Sequence, residues 1–227
     1  MGDKMVLEVM NKKIELYYNE RGGPLVIMHS DHDEGEQVWE ECERIGCIPL
    51  SLAVINDIVW KHDMSPWQAP PAYKKGDPFT GGADVYLKTL TEEILTEIIN
   101  KMPNQPEYMA LAGYSLAGLF SIYAAYRTDY FERIVSASGS LWYPDFMYYV
   151  NTHDISDKTK AVYFSIGDKE SHTKNPIIST VEKNTRELAK YLEDKGIITT
   201  FQLNAGGHFQ DDVKRLSEGI KWILSIQ

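Results

Sequence analysis

Residues 107–118 read Glu-Tyr-Met-Ala-Leu-Ala-Gly-Tyr-Ser-Leu-Ala-Gly: an apolar run that stops at a glycine, presents a serine and resumes as an apolar helix pattern. Glu107–Ala112 is continuously apolar after its first residues rather than alternating, as a strand reads when helices cover both faces of its sheet. The helix opens at Leu116. A serine at such a junction sits on a sharp strand-to-helix turn, its hydroxyl projecting above the sheet edge. That geometry demands small residues two positions before and after it, so that strand and helix can approach. Gly113 and Ala117 meet the demand, with alanine standing where glycine is commoner.

The sequence on either side supplies the sheet. Pro24–His29, Cys47–Ile55, Arg133–Ala137, Ala161–Ile166 and Ile197–Leu203 repeat the buried-strand pattern. Val6–Met10 and Lys13–Tyr18, separated by Asn11 and Lys12, predict a hairpin at a sheet edge. Between the strands lie helical stripes. Leu87, Leu90, Ile94 and Ile98 form one. Ile177, Val181, Leu188 and Leu192 form another, opened by Asn175-Pro176 and closed by Gly196. Phe209, Val213, Leu216, Ile220 and Leu224 form the last. This alternation predicts an α/β fold, a mostly parallel central sheet with helices on both faces, with residues 1–227 as a single domain. Asn56–Asp84 breaks the rhythm. It holds four of the ten prolines together with Trp60, Trp67, Tyr73 and Phe79. It reads either as a surface excursion pinned by its own aromatics or as a lid or substrate wall.

Composition narrows the function. Of 227 residues 43% are apolar and 25% charged, which is globular, and the net charge of −10 disfavours nucleic acid and anionic membranes as partners. No apolar run approaches the roughly 18 residues of a membrane span, and the opening MGDKMVLEVMNKK has no signal-peptide core, so the expectation is a cytoplasmic protein. Cys42 and Cys47 are too few for a disulfide framework. Nothing in the chain indicates its oligomeric state.

A nucleophilic Ser115 requires an acid and then a histidine, each on a loop after a later strand. Ala161–Ile166 leads into Gly167-Asp168-Lys169-Glu170, and Ile197–Leu203 leads into Asn204-Ala205-Gly206-Gly207-His208. Serine, acid, histidine is the chain order of the α/β-hydrolase triad. On the residues alone either Asp168 or Glu170 can orient His208. The oxyanion of such a reaction needs two backbone N–H groups. One is expected from Leu116 and the other from Ser30–His32, with Ser30 and Asp31 as candidates. Trp142, in Ser138-Gly-Ser-Leu-Trp-Tyr143, and Trp60 and Trp67 are expected against a small-molecule ester substrate. His29 and His32 flank Asp31 and Asp33 but lack a third ligand on a rigid element, so no metal is assigned and the chemistry calls for no cofactor.

The Gly-Tyr-Ser-Leu-Ala-Gly turn, Ser-Gly-Ser-Leu-Trp-Tyr, Gly-Asp-Lys-Glu and Gly-Gly-His-Phe together resemble the esterase D-like (Putative esterase) family. That family includes siderophore trilactone esterases, S-formylglutathione hydrolases, feruloyl esterases and mycolyltransferases. The resemblance runs from about Leu25 to the C-terminus, and Ser-Gly-Ser-Leu-Trp is most like the siderophore-esterase branch. It implies an α/β-hydrolase fold, a serine esterase activity (on a thioester as an alternative), and Glu170 as the acid, three residues after the post-strand glycine. The branch's bulky anionic substrates lead one to expect basic residues at the site; the candidate loops offer Lys61, Lys74 and Lys75. Two rival readings are an acyltransferase on the same fold and a non-catalytic binding module.

Overall fold

The computed structural model describes residues 3–18, 20–30, 34–47 and 49–226. β1 (Asp3–Val9) and β2 (Lys12–Tyr18) form the expected edge hairpin, with Val9 opposite Lys12. The turn is therefore Met10-Asn11, one residue earlier than the sequence suggested. Both residues take positive φ, 50° and 60°, in the mirror-image two-residue turn whose twist matches its strands.

β3 (Leu25–His29) leads to α1 (Gly35–Ile45), which ends at Gly46 with φ 80°. The Cys47 N–H then donates to the Cys42 carbonyl at 2.8 Å, and β4 (Ser51–Ile55) begins later than expected. Cys47 and Leu50 belong to the helix exit, and Pro49, which has no N–H to give a ladder, stands between them. Both cysteines are buried free thiols.

The segment after β4 is more ordered than a loop. It contains the single turn α2 (Trp60–Asp63) and a two-stranded ribbon of β5 (Gln68–Ala69) and β6 (Phe79–Thr80), and α3 (Ala83–Thr89) already includes Asp84. A π-helical turn, Leu90–Ile94, joins α3 to α4 (Leu95–Lys101), so the stripe Leu87, Leu90, Ile94, Ile98 is buried along one continuous helical run.

β7 (Met109–Tyr114) runs into α5 (Leu116–Ala125), whose ten residues are all buried, the Ser121 hydroxyl donating to the Ala117 carbonyl at 2.8 Å. β8 (Arg133–Ala137), α6 (Phe146–Thr152), β9 (Ala161–Gly167), α7 (Val181–Asp194), β10 (Ile198–Asn204) and α8 (Asp212–Ser225) follow. Two helix starts differ from expectation. The Asn175 side chain accepts from the Ile177 and Ile178 N–H groups, capping a 3₁₀ turn at Ile178–Thr180, and Ile177 is exposed. Asp211, at φ 56°, sets α8 to begin after Phe209, which is 92% exposed instead of lying on the helix stripe.

The eight-stranded sheet has the order β1-β2-β4-β3-β7-β8-β9-β10. β2 runs against its two neighbours, and the pairs from β4 to β10 are parallel. Alternate strand residues separate into two cores. Ile27, Leu111, Ile134 and Val162 pack with the helices from α3 to α7, while Val26, Ala110, Val135 and Tyr163 pack with α1 and α8. The sheet is thus a middle layer, and its central strands deliver their carboxyl ends to one edge. This is the α/β-hydrolase arrangement, and ligands in such sheets bind at that edge.

Candidate active site

Ser115 stands at the end of β7 with φ 56° and ψ −120°, a conformation that costs a non-glycine residue energy and is held by its surroundings. The turn tolerates no bulk at Gly113, where an added Cβ would lie 2.2 Å from the Ala117 carbonyl carbon and oxygen. Ala117 is accommodated at the second small position, fully buried. The Ser115 N–H donates to the Ala137 carbonyl at 3.1 Å and its carbonyl accepts from Ser140 N–H at 3.0 Å, so β8 and its loop brace the turn.

Ser115 Oγ lies 2.9 Å from His208 Nε2, and His208 Nδ1 lies 2.7 Å from Glu170 Oε2. With the Nδ1–H tautomer, His208 donates to Glu170 and accepts from the serine hydroxyl. The other Glu170 oxygen, Oε1, accepts from Gly167 N–H at 2.7 Å, Ser138 Oγ at 2.8 Å and Arg215 Nη1 at 2.9 Å. Burial alone pushes the Glu170 carboxyl up. The hydrogen bond and charge of His208, with the Gly167 N–H and the Ser138 hydroxyl, outweigh it and hold the carboxyl below its ordinary value. Glu170 is thus a buried carboxylate kept ionised by its donors.

Of the two candidate acids, the structure brings Glu170 to His208 and gives Asp168 another task. Asp168 Oδ1 accepts the Gly206 N–H at 2.8 Å, tying the acid loop to the histidine loop. The Leu116 N–H opens α5, among the helix N–H groups that have no partner within the helix. The Ser30 N–H is not free to receive an oxyanion: as a continuation of the ladder, it donates to the Ile55 carbonyl at 3.0 Å. Asp31 lies outside the described residues.

Ser115, His208 and Glu170 line a cleft of about 540 Å³. Trp60, Tyr73, Trp142 and Phe209 line it; Trp67 does not. Trp67 instead packs against Tyr143, Phe146 and Tyr149, and its Nε1–H donates to the Pro144 carbonyl at 3.1 Å. Lys61, Lys74 and Lys75 also stay off the cleft wall, where Lys169 and His172 stand among the described residues. His29 lines the cleft from the end of β3, 2% exposed, between Tyr86 and Phe120. Burial, aided by the charge of Lys12, lowers its ring to about 3, so it is a neutral imidazole.

Sequence reasoning missed Arg215, Ser138 and Tyr114. The signal for Arg215 was present, since it falls four residues before Gly219 and eight before Ile223 on the inward stripe of the last helix. A cation on such a stripe is rarely buried without a partner.

Residues 28–214 match the family described as Putative esterase. The chain belongs to this family, a class of carboxylic ester hydrolases. Among individual proteins, "Uncharacterized protein YbbA" of Bacillus subtilis (strain 168) is 25% identical over 169 residues, 71% of this chain and 68% of that one. Siderophore hydrolase EstA from Aspergillus nidulans superposes with a TM-score of 0.77 at 17% identity, covering 98% of this chain and 93% of its own. An IroE-like serine hydrolase from Shewanella oneidensis gives 0.76 at 19%, covering 100% and 82%. The enterobactin hydrolase IroE in complex with DFP gives 0.71 at 16%, covering 99% and 95%. These structures share the fold. Among the described residues, no helix is long and apolar enough to cross a membrane.

Proposed function

We propose that the chain hydrolyses a carboxylic ester through an acyl-enzyme on Ser115, with His208 as general base and acid and Glu170 as the acid of the triad. The observation that carries this reading is the continuous relay from Ser115 Oγ through both His208 nitrogens to Glu170, at 2.9 and 2.7 Å. His208 Nε2 takes the serine proton as Oγ attacks the carbonyl, and Glu170 stabilises the imidazolium that forms. The Leu116 N–H, at the positive end of α5, receives one side of the developing oxyanion. His208 returns its proton to the leaving alkoxide. It then activates a water that attacks the acyl-enzyme and frees Ser115.

The cleft supports an aromatic or otherwise broad apolar group on the ester, held between Trp60, Tyr73, Trp142 and Phe209. Two of the proteins that share the fold are a siderophore hydrolase and an enterobactin hydrolase, which supports hydrolysis as the reaction. The segment between β4 and α3 supplies two of these walls, Trp60 and Tyr73, as a substrate wall would.

Hydrolysis of p-nitrophenyl esters from acetate to octanoate tests the reading. The wild type is expected to turn over and Ser115→Ala to lose on the order of 10⁴-fold or more. Equal activity in the two proteins overturns it. Added alcohols that divert the acyl group to new esters in place of free acid would instead establish an acyltransferase.

A further inference from the structure

Behind Glu170 stands a second cation that proton transfer itself does not use. Arg215, on α8, is 1% exposed. Its Nη1 donates to Glu170 Oε1 at 2.9 Å, to Ser138 Oγ at 3.0 Å and to the Tyr114 hydroxyl at 3.3 Å, and its Nη2 donates to the Ala205 carbonyl at 3.0 Å. The acceptors belong to the ends of β7, β8, β9 and β10, so one guanidinium joins four consecutive strand ends. Tyr114 extends the connection by donating its hydroxyl to the His208 carbonyl at 2.7 Å.

The backbone is shaped to admit this group. A Cβ on Gly167 would lie 2.3 Å from the Gly206 carbonyl oxygen and 2.9 Å from Arg215 Nη2, so the glycine lets the histidine loop and the guanidinium close on the acid loop together. A Cβ on Gly219 would lie 2.6 Å from Val135 Cγ1 and 2.7 Å from the Tyr163 ring, so its absence lets α8 press onto the sheet and carry Arg215 inward. Ser138 holds its hydroxyl on Glu170 from a strained φ of 47°. A buried ion pair adds little stability over a well-packed apolar pair, so the arrangement calls for another explanation.

We propose that Arg215 is a positioning residue for the esterase reaction, sharing the charge of Glu170 on the oxygen His208 does not use and fixing the acid and histidine loops in register. The inference rests on the triad reading above. The positive charge that His208 offers Glu170 comes and goes with the serine proton during the cycle. The Arg215 guanidinium, 2.9 Å from Glu170 Oε1, gives the carboxylate a positive partner throughout the cycle. Among the described residues, the titratable and charged groups facing Glu170 are His208 and Arg215, with Tyr114 reached through Arg215. Asp168, on the same loop, is tied to Gly206, and Lys169, His172, Glu34 and Asp212 stand on the cleft wall.

The test is the pH profile of kcat/KM on p-nitrophenyl acetate for the wild type, Arg215→Met, Arg215→Lys and Ser115→Ala. In Arg215→Met, kcat is expected to fall about 10- to 100-fold with KM little changed. The acid limb is expected to move up by about one pH unit, because the unshared carboxylate holds a proton on the imidazole more tightly. Arg215→Lys is expected to return the limb to its wild-type position with partial recovery of rate. If Arg215→Met does not fold, Ser138→Ala is read instead, and its limb is expected to move the same way by less. An acid limb unmoved in the readable variant overturns the proposal, whatever the loss of rate. Full activity in Ser115→Ala overturns the triad reading, and this proposal with it; an inactive Ser115→Ala beside an unmoved limb isolates the failure to Arg215.

Discussion

Residues 113–118 and residues 56–82 both leave the carboxyl edge of the sheet, after β7 and β4, and both reach the cleft. The first turns within one residue and is fixed by backbone geometry: Gly113 under Ala117, Ser115 at φ 56°, and hydrogen bonds to Ala137 and Ser140. The second travels far, through one helical turn and a short two-stranded ribbon, and is anchored to the body by side chains. Trp67 inserts among Tyr143, Phe146 and Tyr149, Phe79 meets Tyr143, and the Tyr143 hydroxyl donates to the Trp67 carbonyl at 2.5 Å. Backbone constraint gives the sub-ångström placement that a nucleophile needs. Aromatic packing gives a wall whose shape can vary while its anchor stays.

The sharpest way to break this contrast is at the relay the short turn serves. Glu170→Gln is expected to lower kcat on the order of 10²- to 10⁴-fold, whereas Asp168→Asn, which loosens only the loop tie to Gly206, costs far less. Steady-state kinetics on both variants measures the gap, and equal losses would remove Glu170 from its role. The turn itself is next. Gly113→Ala forces a Cβ into the Ala117 backbone and is expected to cost about 3 kcal/mol of stability, seen as a lowered Tm.

Acid provides the third test, at His29 beneath the same edge. Its folded value of about 3 lies below the ordinary 6.5. Its contribution to stability is therefore complete above about pH 6.5 and declines as pH falls toward about 3, by at most about 1.4 kcal/mol per pH unit. His29→Phe, which keeps an aromatic between Tyr86 and Phe120, is expected to flatten that part of the stability curve in urea titrations at several pH values. An unchanged slope would contradict it. The smallest effect concerns the long segment. Trp67→Ala is expected to cost about 2 kcal/mol with a modest change in kcat, while Trp142→Ala raises KM for aromatic esters at nearly constant Tm. The reverse pattern would make Trp67 the substrate contact.

The fold was legible because its signals are local. Continuous apolar runs marked the parallel strands, and Gly113, Ser115 and Ala117 marked the turn between β7 and α5. The order Ser115, acid, His208 was equally visible. What escaped depended on contacts between distant residues. Asp168 and Glu170 differ by which one the acid loop aims at His208, a consequence of the Asp168–Gly206 tie. Ser30 lost its candidacy to a ladder bond with Ile55, and Trp67 turned away from the cleft because Tyr143 and Tyr149 offered it a better-packed site. Arg215 stood on the inward stripe of the last helix, but the acceptors it meets there come from four separate strand ends.

The central claim is that Ser115 is a nucleophile activated by His208. Intact-mass measurement after treatment with a fluorophosphonate probe, followed by peptide mapping, tests it most directly. The account predicts a single adduct on Ser115, formed by the wild type and absent from Ser115→Ala and His208→Ala. An unlabelled wild type, or an adduct on any other residue, would contradict it.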